Sequence, residues 1–246
     1  MIQCKKKMIH KLLKGIETGD PEAVTVVNED KYIQHNPQTH EGSEGLAALF
    51  KRLSKTSPKV NIVRIFEDGE YVFAHTEYDF SSRNIGFEIF RFEDGYAVEH
   101  WDNIQKREEQ QGSKCTVIDG VTEVTDHTFT DINREIIQSF VDNILIQRNM
   151  EKSDDYINQK QYTEHNSAFK AVLSITNEQL LVRYDKSHRI LAEGNFVLSV
   201  CEGYSKKAPC SFFDLYRLKA RKIVEHWNTT EEIPSRDKWK NNNGKF

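Results

Sequence analysis

The sequence predicts an α+β protein made of two tandem copies of one domain, each with helices packed on one face of an antiparallel sheet. Two observations lead to this prediction. Short blocks recur in the same order at nearly constant spacing, and the pattern within each copy changes from helical to strand-like. Together they imply two domains of ordinary size instead of one large domain.

The repeat consists of four matching blocks. Residues 87–92 (FEIFRF) recur as 213–218 (FDLYRL), and residues 98–102 (VEHWD) recur as 224–228 (VEHWN). Two further pairs match in the same order, 64–72 with 189–197 and 32–36 with 162–166. The predicted boundaries are a first domain over 1–108, a linker over 109–130 and a second domain over 131–246.

Each copy is predicted to begin with helices. Asp20-Pro21 marks the start of a short second helix, because aspartate caps a helix and proline suits its first position. A third helix is expected over 42–54, with its counterpart over 168–180. The first helix of each copy is indicated by apolar residues at helical spacing: Met8, Leu12, Leu13 and Ile16, and then Ile136, Ile137, Phe140, Val141, Ile144 and Leu145.

Strands follow the helices in each copy. Segments rich in aromatic and β-branched residues predict four strands per copy. Asp68-Gly69 and Asp94-Gly95 are typical hairpin turns between them. The predicted strands are 60–66, 70–80, 84–92 and 96–105 in the first copy, and 181–191, 195–203, 210–218 and 222–229 in the second.

Composition excludes several classes of partner. The 246 residues include 34 Lys+Arg and 38 Asp+Glu, for a net charge of −4, so no basic footprint for nucleic acid is expected. No apolar run is long enough to span a membrane, and the mixed residues near the N-terminus do not form a secretory signal. A cytoplasmic protein that binds neither nucleic acid nor membrane is therefore predicted.

Cysteines and short motifs point to no cofactor. The four cysteines form no zinc-binding spacing. Cys201 and Cys210 lie on either side of a predicted hairpin, where a disulfide is conceivable, but two reduced thiols are favoured. The sequence contains no phosphate-binding glycine loop, dinucleotide fingerprint or nucleophile motif.

Four segments of the first copy resemble a known family. YIQHNP (32–37), EGSEGL (41–46), FRFEDG (90–95) and VEHWD (98–102) look like the SnoaL-like proteins of the nuclear-transport-factor-two-like superfamily. The resemblance covers the first copy almost end to end. The second copy resembles a decayed relative, and residues 233–246 are similar to the tails of tandem members.

The resemblance implies two tandem cone-shaped α+β barrels, each a strongly bent antiparallel sheet wrapped by helices around an apolar pocket. It also implies a lyase- or isomerase-type activity, the aldol-type cyclisation or isomerisation of a small apolar carbonyl compound, without metal or cofactor. Single-domain members pair through their sheets. The two copies are therefore expected to form an internal pseudo-dimer, and a homodimer also stays open.

The last strand of the first copy carries the strongest candidates for chemistry. Strand alternation places His100 and Asp102 on one side and Trp101 on the other. Removing a proton next to a carbonyl needs a base and a donor for the enolate oxygen. Asp102 is the predicted base, with His35 or His100 as the donor. The predicted substrate-binding residues are Tyr32, Phe73, His75 and Trp101.

Structural interpretations of the same residues stay open. His100 recurs as His226 in the second copy, as expected of a core histidine. Asp102 alternatively caps the sheet or pairs with a basic side chain. His35 and Asn36 alternatively anchor a loop.

The second copy departs from the first at several candidate positions. Asp102 becomes Asn228, which cannot exchange a proton in the useful range, and His75 corresponds to Val200. The second copy is therefore predicted to be degenerate.

Two other functions are consistent with the sequence. One is a non-catalytic module for ligand binding or assembly. The other is metal binding, although no compact spacing motif supports it; its ligands would be His35, His75, His100 and Asp102.

Overall fold

In the computed structural model the chain forms two compact units. Unit 1 comprises Met1–Arg107 together with Ile233–Phe246, and unit 2 comprises Glu108–Glu232. Apart from the side chains of residues 43 and 44, the structure describes residues 4–53, 55, 57–107, 115–166, 169, 172 and 182–246.

The units divide differently from the boundaries that the sequence suggests. Ile233–Phe246, expected in the second domain, belongs to unit 1 because its polar groups bond there; for example, Asn241 Nδ2 donates to the carbonyl of Asn36 at 2.7 Å. The linker expected over 109–130 belongs to unit 2, where the amide of Thr125 donates to Asn195 Oδ1 at 3.0 Å.

The described residues of unit 1 form two α-helices and a five-stranded sheet in the order β1-β5-β4-β3-β2. Strands β2 to β5 form an antiparallel meander, and β1 runs parallel to β5. A short 3₁₀ helix follows α1, with Asp20 capping it as predicted. The elements are α1 (Lys5–Thr18), the 3₁₀ helix (Pro21–Val26), β1 (Ile33–Gln34), α2 (Gly42–Leu53), β2 (Lys59–Asp68), β3 (Tyr71–Asp79), β4 (Arg83–Glu93) and β5 (Tyr96–Lys106).

Unit 2 repeats this topology with the order β6-β10-β9-β8-β7. Its first helix, α3, continues into a π-helical turn over Val141–Ile146. The helix expected over 168–180 lies outside the described residues except at 169 and 172. The elements are α3 (Thr130–Phe140), 3₁₀ helices at His127–Phe129 and Met150–Asp155, β6 (Thr163–Glu164), β7 (Val182–Glu193), β8 (Phe196–Ser205), β9 (Ala208–Lys219) and β10 (Lys222–Glu232). A last 3₁₀ turn, Arg236–Lys238, lies in the segment that belongs to unit 1.

The α+β class is confirmed, with one correction to the expected shape. In each unit the strand order is linear, so the sheet is bent but open and does not close into a barrel. The apolar face of α1 packs on the inner face of the sheet in unit 1, as the helical spacing predicts. This core includes Met8, Ile9, Leu12, Leu13, Ile16, Phe90 and Phe92.

The two cysteines of the second sheet are free thiols. Cys201 lies opposite Phe212 and Cys210 opposite Gly203, so the register does not place the cysteines face to face. Burial raises the pKa of the Cys201 thiol, which keeps it unreactive. Among the described residues, no helix is long and apolar enough to cross a bilayer.

Candidate functional site

The site of unit 1 is built where β1 meets β5. Gln34 lies beside His100 in the parallel register, and the amide of His35 donates to the carbonyl of His100 at 2.9 Å. Because successive side chains of a strand point to opposite faces, Gln34 and His35 reach different sides of β5. The two faces therefore carry two separate clusters.

On the inner side, His100 is the centre of a buried hydrogen-bonded chain. Its Nδ1 lies 3.0 Å from Gln34 Oε1, and its Nε2 lies 2.7 Å from Glu88 Oε2. Glu88 Oε1 accepts from the hydroxyl of Tyr78 at 2.8 Å. Both ring nitrogens are thus engaged by oxygen atoms of the protein, which makes His100 a group that positions others.

Glu88 is a member of the site that the sequence interpretation missed. It lies directly opposite Asp102 in the β4–β5 register. A signal for it was present, because an acid recurs at this place in the repeated block as Asp214.

Asp102 is buried, with 4% of its surface exposed, and it pairs with a basic side chain. Its Oδ2 accepts from Asn36 Nδ2 at 2.7 Å. Its Oδ1 lies 3.5 Å from Nζ of Lys245, and that Nζ donates to the Asp102 backbone carbonyl at 2.7 Å. Asn36 Oδ1 also accepts from the amide of Gln38 at 2.8 Å, so the loop-anchoring interpretation of Asn36 holds as well.

Tyr32 supplies a hydroxyl to the same inner side. The side chain is buried, and within the described part of the chain its hydroxyl has no hydrogen-bond partner. Burial raises the pKa of Tyr32 well above its usual value, and the charges of Asp102 and Glu88 raise it further. The phenol is therefore neutral at physiological pH and can donate a hydrogen bond.

His35 does not join Asp102 and His100, contrary to the sequence-based prediction. Its ring stacks on Trp101 with centroids 4.6 Å apart and 11° between the planes. Its Nε2 lies 2.8 Å from Glu99 Oε1, and its Nδ1 lies 2.9 Å from the carbonyl oxygen of Gly244. Both partners are acceptors, so His35 links Glu99 and the Gly244 carbonyl on the other side of β5. The stacking of His35 on Trp101 together with its bond to the Gly244 carbonyl is called here the clamp.

Phe73, His75 and Trp101 also face away from the inner cluster. His75 Nδ1 lies 3.1 Å from an Arg64 nitrogen, and its ring contacts Phe87 with centroids 4.7 Å apart. Phe73 packs edge-on against the same Phe87 ring. The three side chains that were expected to bind substrate with Tyr32 therefore lie on the opposite face of the sheet from it.

The three histidines and Asp102 do not converge as a metal site. Within the described residues, the group with ligand atoms within 4.8 Å of one another is Glu88, His100 and Asp102. Two of these, Glu88 and His100, already bond to each other.

Unit 2 contains a related but different cluster. His226 Nδ1 lies 2.9 Å from Glu164 Oε2, and its Nε2 lies 3.1 Å from Asp214 Oδ1. Although burial opposes the charge, these carboxylates raise the pKa of His226 to about 9. Unit 2 has thus lost the acid at the Asp102 position, where Asn228 stands, but carries one at the position of Gln34.

The equivalent tyrosines of the two units, Tyr32 and Tyr162, also differ in the hydrogen bonding of their hydroxyl groups. Tyr162 donates its hydroxyl to Glu164 at 2.5 Å, whereas the Tyr32 hydroxyl of unit 1 is left without a bond among the described residues. The two units thus differ at this tyrosine, although unit 2 has its own buried phenol without a hydrogen-bond partner among the described residues, Tyr216, whose ring lies 5.0 Å from that of His226.

Fold and site define unit 1 as an α+β domain with an open five-stranded sheet, an apolar helix-covered inner face and a buried polar cluster at β1 and β5. Residues 9–100 match the SnoaL-like domain family. Unit 1 is therefore a SnoaL-like domain, and unit 2 repeats its topology. No curated protein matches the chain.

Several solved structures are similar to part of the chain. TsrD from Streptomyces laurentii has 21% identity over 40% of this chain and 86% of its own, with a TM-score of 0.36. IdmH, a putative polyketide cyclase from Streptomyces antibioticus, has 16% identity over 42% and 93%, with a TM-score of 0.38. A putative ketosteroid isomerase from Kribbella flavida has 14% identity over 48% and 90%, with a TM-score of 0.38.

Proposed function

We propose that unit 1 is a cofactor-independent acid–base catalyst that enolises a small, largely apolar carbonyl compound, as aldol-type cyclisation or isomerisation requires. The observation that supports this most directly is a pair of buried polar atoms. Tyr32 Oη has no hydrogen-bond partner among the described residues, and Asp102 Oδ1 has none there beyond the ion pair with Lys245 Nζ at 3.5 Å. Buried polar groups are nearly always bonded, so such atoms suit a bound ligand.

In the proposed reaction Asp102 removes the proton next to the substrate carbonyl. Tyr32, held neutral by its raised pKa, donates a hydrogen bond to the developing enolate oxygen. The proton then returns from the Asp102 carboxyl to carbon or oxygen of the product, so no external acid is consumed.

His100 acts in this proposal as a positioning residue. It bonds to Gln34 Oε1, which also accepts from the amide of Asn36 at 2.8 Å. Asn36 in turn donates to Asp102. The chain of bonds from His100 therefore fixes the orientation of the base without contacting the substrate.

The comparison between units supports placing the chemistry in unit 1. Asn228 cannot act as a base, and the phenol of Tyr162 is bound to Glu164. Unit 2 is proposed to be a structural copy, and its pairing with unit 1 as a pseudo-dimer stays a prediction.

The experiment measures proton exchange next to a carbonyl group in D₂O by NMR, with acetophenone and cyclohexanone as probes. We expect the full-length protein to accelerate exchange of at least one probe. Asp102→Asn, which copies Asn228, should lower that rate by about 10²- to 10⁴-fold, and Tyr32→Phe should lower it less. A wild-type rate in Asp102→Asn would contradict the proposal.

Matched controls separate chemistry from general effects. Tyr162→Phe makes the same change in unit 2, and Asp131→Asn removes a carboxylate whose side chain is 90% exposed. Both should keep the wild-type exchange rate. Saturable binding of a probe without any exchange would favour the non-catalytic binding module instead.

A further inference from the structure

Residues 240–246, called here the strap, lie across the end of β1 in unit 1. Asn241 Nδ2 donates to the carbonyl of Asn36 at 2.7 Å, and Asn243 Nδ2 donates to the carbonyl of Gln34 at 3.0 Å. These bonds attach the strap to the same loop that orients Asp102. The strap is therefore built into the site.

Lys245 is the strap residue that reaches the base. Only 3% of its surface is exposed, and its Nζ donates to the Asp102 carbonyl at 2.7 Å and lies 3.5 Å from Oδ1. A buried ammonium is strongly unfavourable unless it is paired and hydrogen-bonded. The position of Lys245 is thus explained by Asp102 and not by packing alone.

Unit 2 provides an internal comparison, because it has a similar strap without the lysine. The carbonyl of Thr116 bonds to His165 Nδ1 at 3.0 Å, as the Gly244 carbonyl bonds to His35 in unit 1. His165 also stacks on its tryptophan, as His35 does. The clamp that holds the strap is therefore the same in both units.

The residue that follows the clamped carbonyl differs between the units. It is Lys245 after Gly244 in unit 1, but Val117 after Thr116 in unit 2. Unit 2 also has Asn228 in place of Asp102. Unit 2 thus keeps a strap but lacks both the aspartate and the lysine. The lysine is therefore associated with the acid and not with the strap.

We propose that Lys245 is a positioning residue of the unit 1 site, which orients the Asp102 carboxylate and balances its charge. This inference rests on the proposed function of Asp102. Because the strap follows the second copy in the sequence, the site of unit 1 is complete only when the chain beyond unit 2 has folded back onto it.

The first test compares Lys245→Met with Lys245→Arg in the full-length protein, using the exchange assay with acetophenone and cyclohexanone. Lys245→Met should lower kcat by roughly ten- to a hundred-fold with KM little changed, because a displaced base loses much of its effect. Lys245→Arg should recover most of the rate. Lys240→Met is the matched control, since Lys240 is exposed and uses only its backbone amide in the strap.

The second test measures thermal midpoints for Lys245→Met, Asp102→Asn and the double variant, which needs no activity. If the two side chains act on each other, the double variant should lose less than the sum of the single losses. Losses that simply add would overturn the pairing. Because thermal midpoints do not depend on turnover, they test the interaction between Lys245 and Asp102 even if a single variant is too unstable for the exchange assay.

The two proposals fail in different ways. Wild-type kcat in Lys245→Met, with Asp102→Asn inactive, overturns the role of Lys245 and leaves the proposed function intact. Wild-type exchange in Asp102→Asn overturns the proposed function itself.

Discussion

Nδ1 of His226 lies 2.9 Å from Oε2 of Glu164, so a carboxylate contacts the buried histidine of unit 2 where unit 1 presents the amide of Gln34. With Asp214 on its other side, the pKa of His226 is raised from 6.5 to about 9 in the folded protein. A histidine with a raised pKa stabilises the fold fully below the unfolded value, and this contribution is lost as pH rises through the folded value.

We therefore expect the free energy of unfolding to fall between about pH 6.5 and about pH 9 through His226. Glu164→Gln, which copies Gln34, should flatten this dependence and lower stability at pH 6 by roughly 1–3 kcal/mol. Urea unfolding from pH 6 to pH 9.5 measures both. Glu151→Gln, an exposed change in the same unit, is the control. If the free energy of unfolding of Glu164→Gln changes with pH as steeply as that of the wild type, the pH dependence has a source other than the Glu164–His226 pair.

Tyr32 and Tyr78 should respond oppositely to the same substitution. Tyr32→Phe removes a buried hydroxyl that has no partner among the described residues, so stability should stay the same or rise slightly. Tyr78→Phe removes the donor to Glu88 and should cost about 1–3 kcal/mol. Chemical denaturation of both variants checks this pair. Equal destabilisation would mean that Tyr32 is bonded in solution.

The sequence predicted the repeat and the meander, because period-two strands and hairpin turns are local signals. It could not separate His35 from His100. The two-residue strand β1 carries no periodicity of its own, and its parallel pairing with β5 is a long-range contact. Only that pairing puts His35 beside Glu99 and Gln34 beside His100.

The sequence also could not predict that residues 233–246 contribute to the site of unit 1. A polar, asparagine-rich segment is typical of an exposed tail. Two of its residues, Asn241 and Lys245, are buried. Asn241 donates to loop carbonyls of unit 1 such as that of Asn36, and no local sequence pattern predicts this long-range contact. Lys245 was missed for the same reason, although pairing of Asp102 with a basic side chain was one open alternative.

His35 should hold the strap in place. Its stacking on Trp101 and its bond to the Gly244 carbonyl are lost in His35→Ala. We expect trypsin to cleave after Lys245 faster in this variant than in the wild type, as followed by mass spectrometry of the intact chain. His10→Ala, an exposed change on α1, should leave the rate unchanged. Equal cleavage rates for His35→Ala and the wild type would exclude the clamp.

The β9–β10 turn stores strain that the matching turn of unit 1 avoids. Ala220 and Arg221 have φ of 50° and 63°, whereas the equivalent pair is Asp94 at 51° and Gly95 at 85°. A left-handed backbone conformation costs a residue other than glycine about 1–2 kcal/mol. Replacing such a residue with glycine removes this cost, but glycine loses more conformational entropy on folding, so only part of the stability is gained. Arg221→Gly should therefore stabilise the protein by about 0.5–1 kcal/mol, as measured by urea unfolding. The reciprocal Gly95→Ala should destabilise it, and a stability loss in Arg221→Gly would mean that the arginine side chain makes a compensating contact.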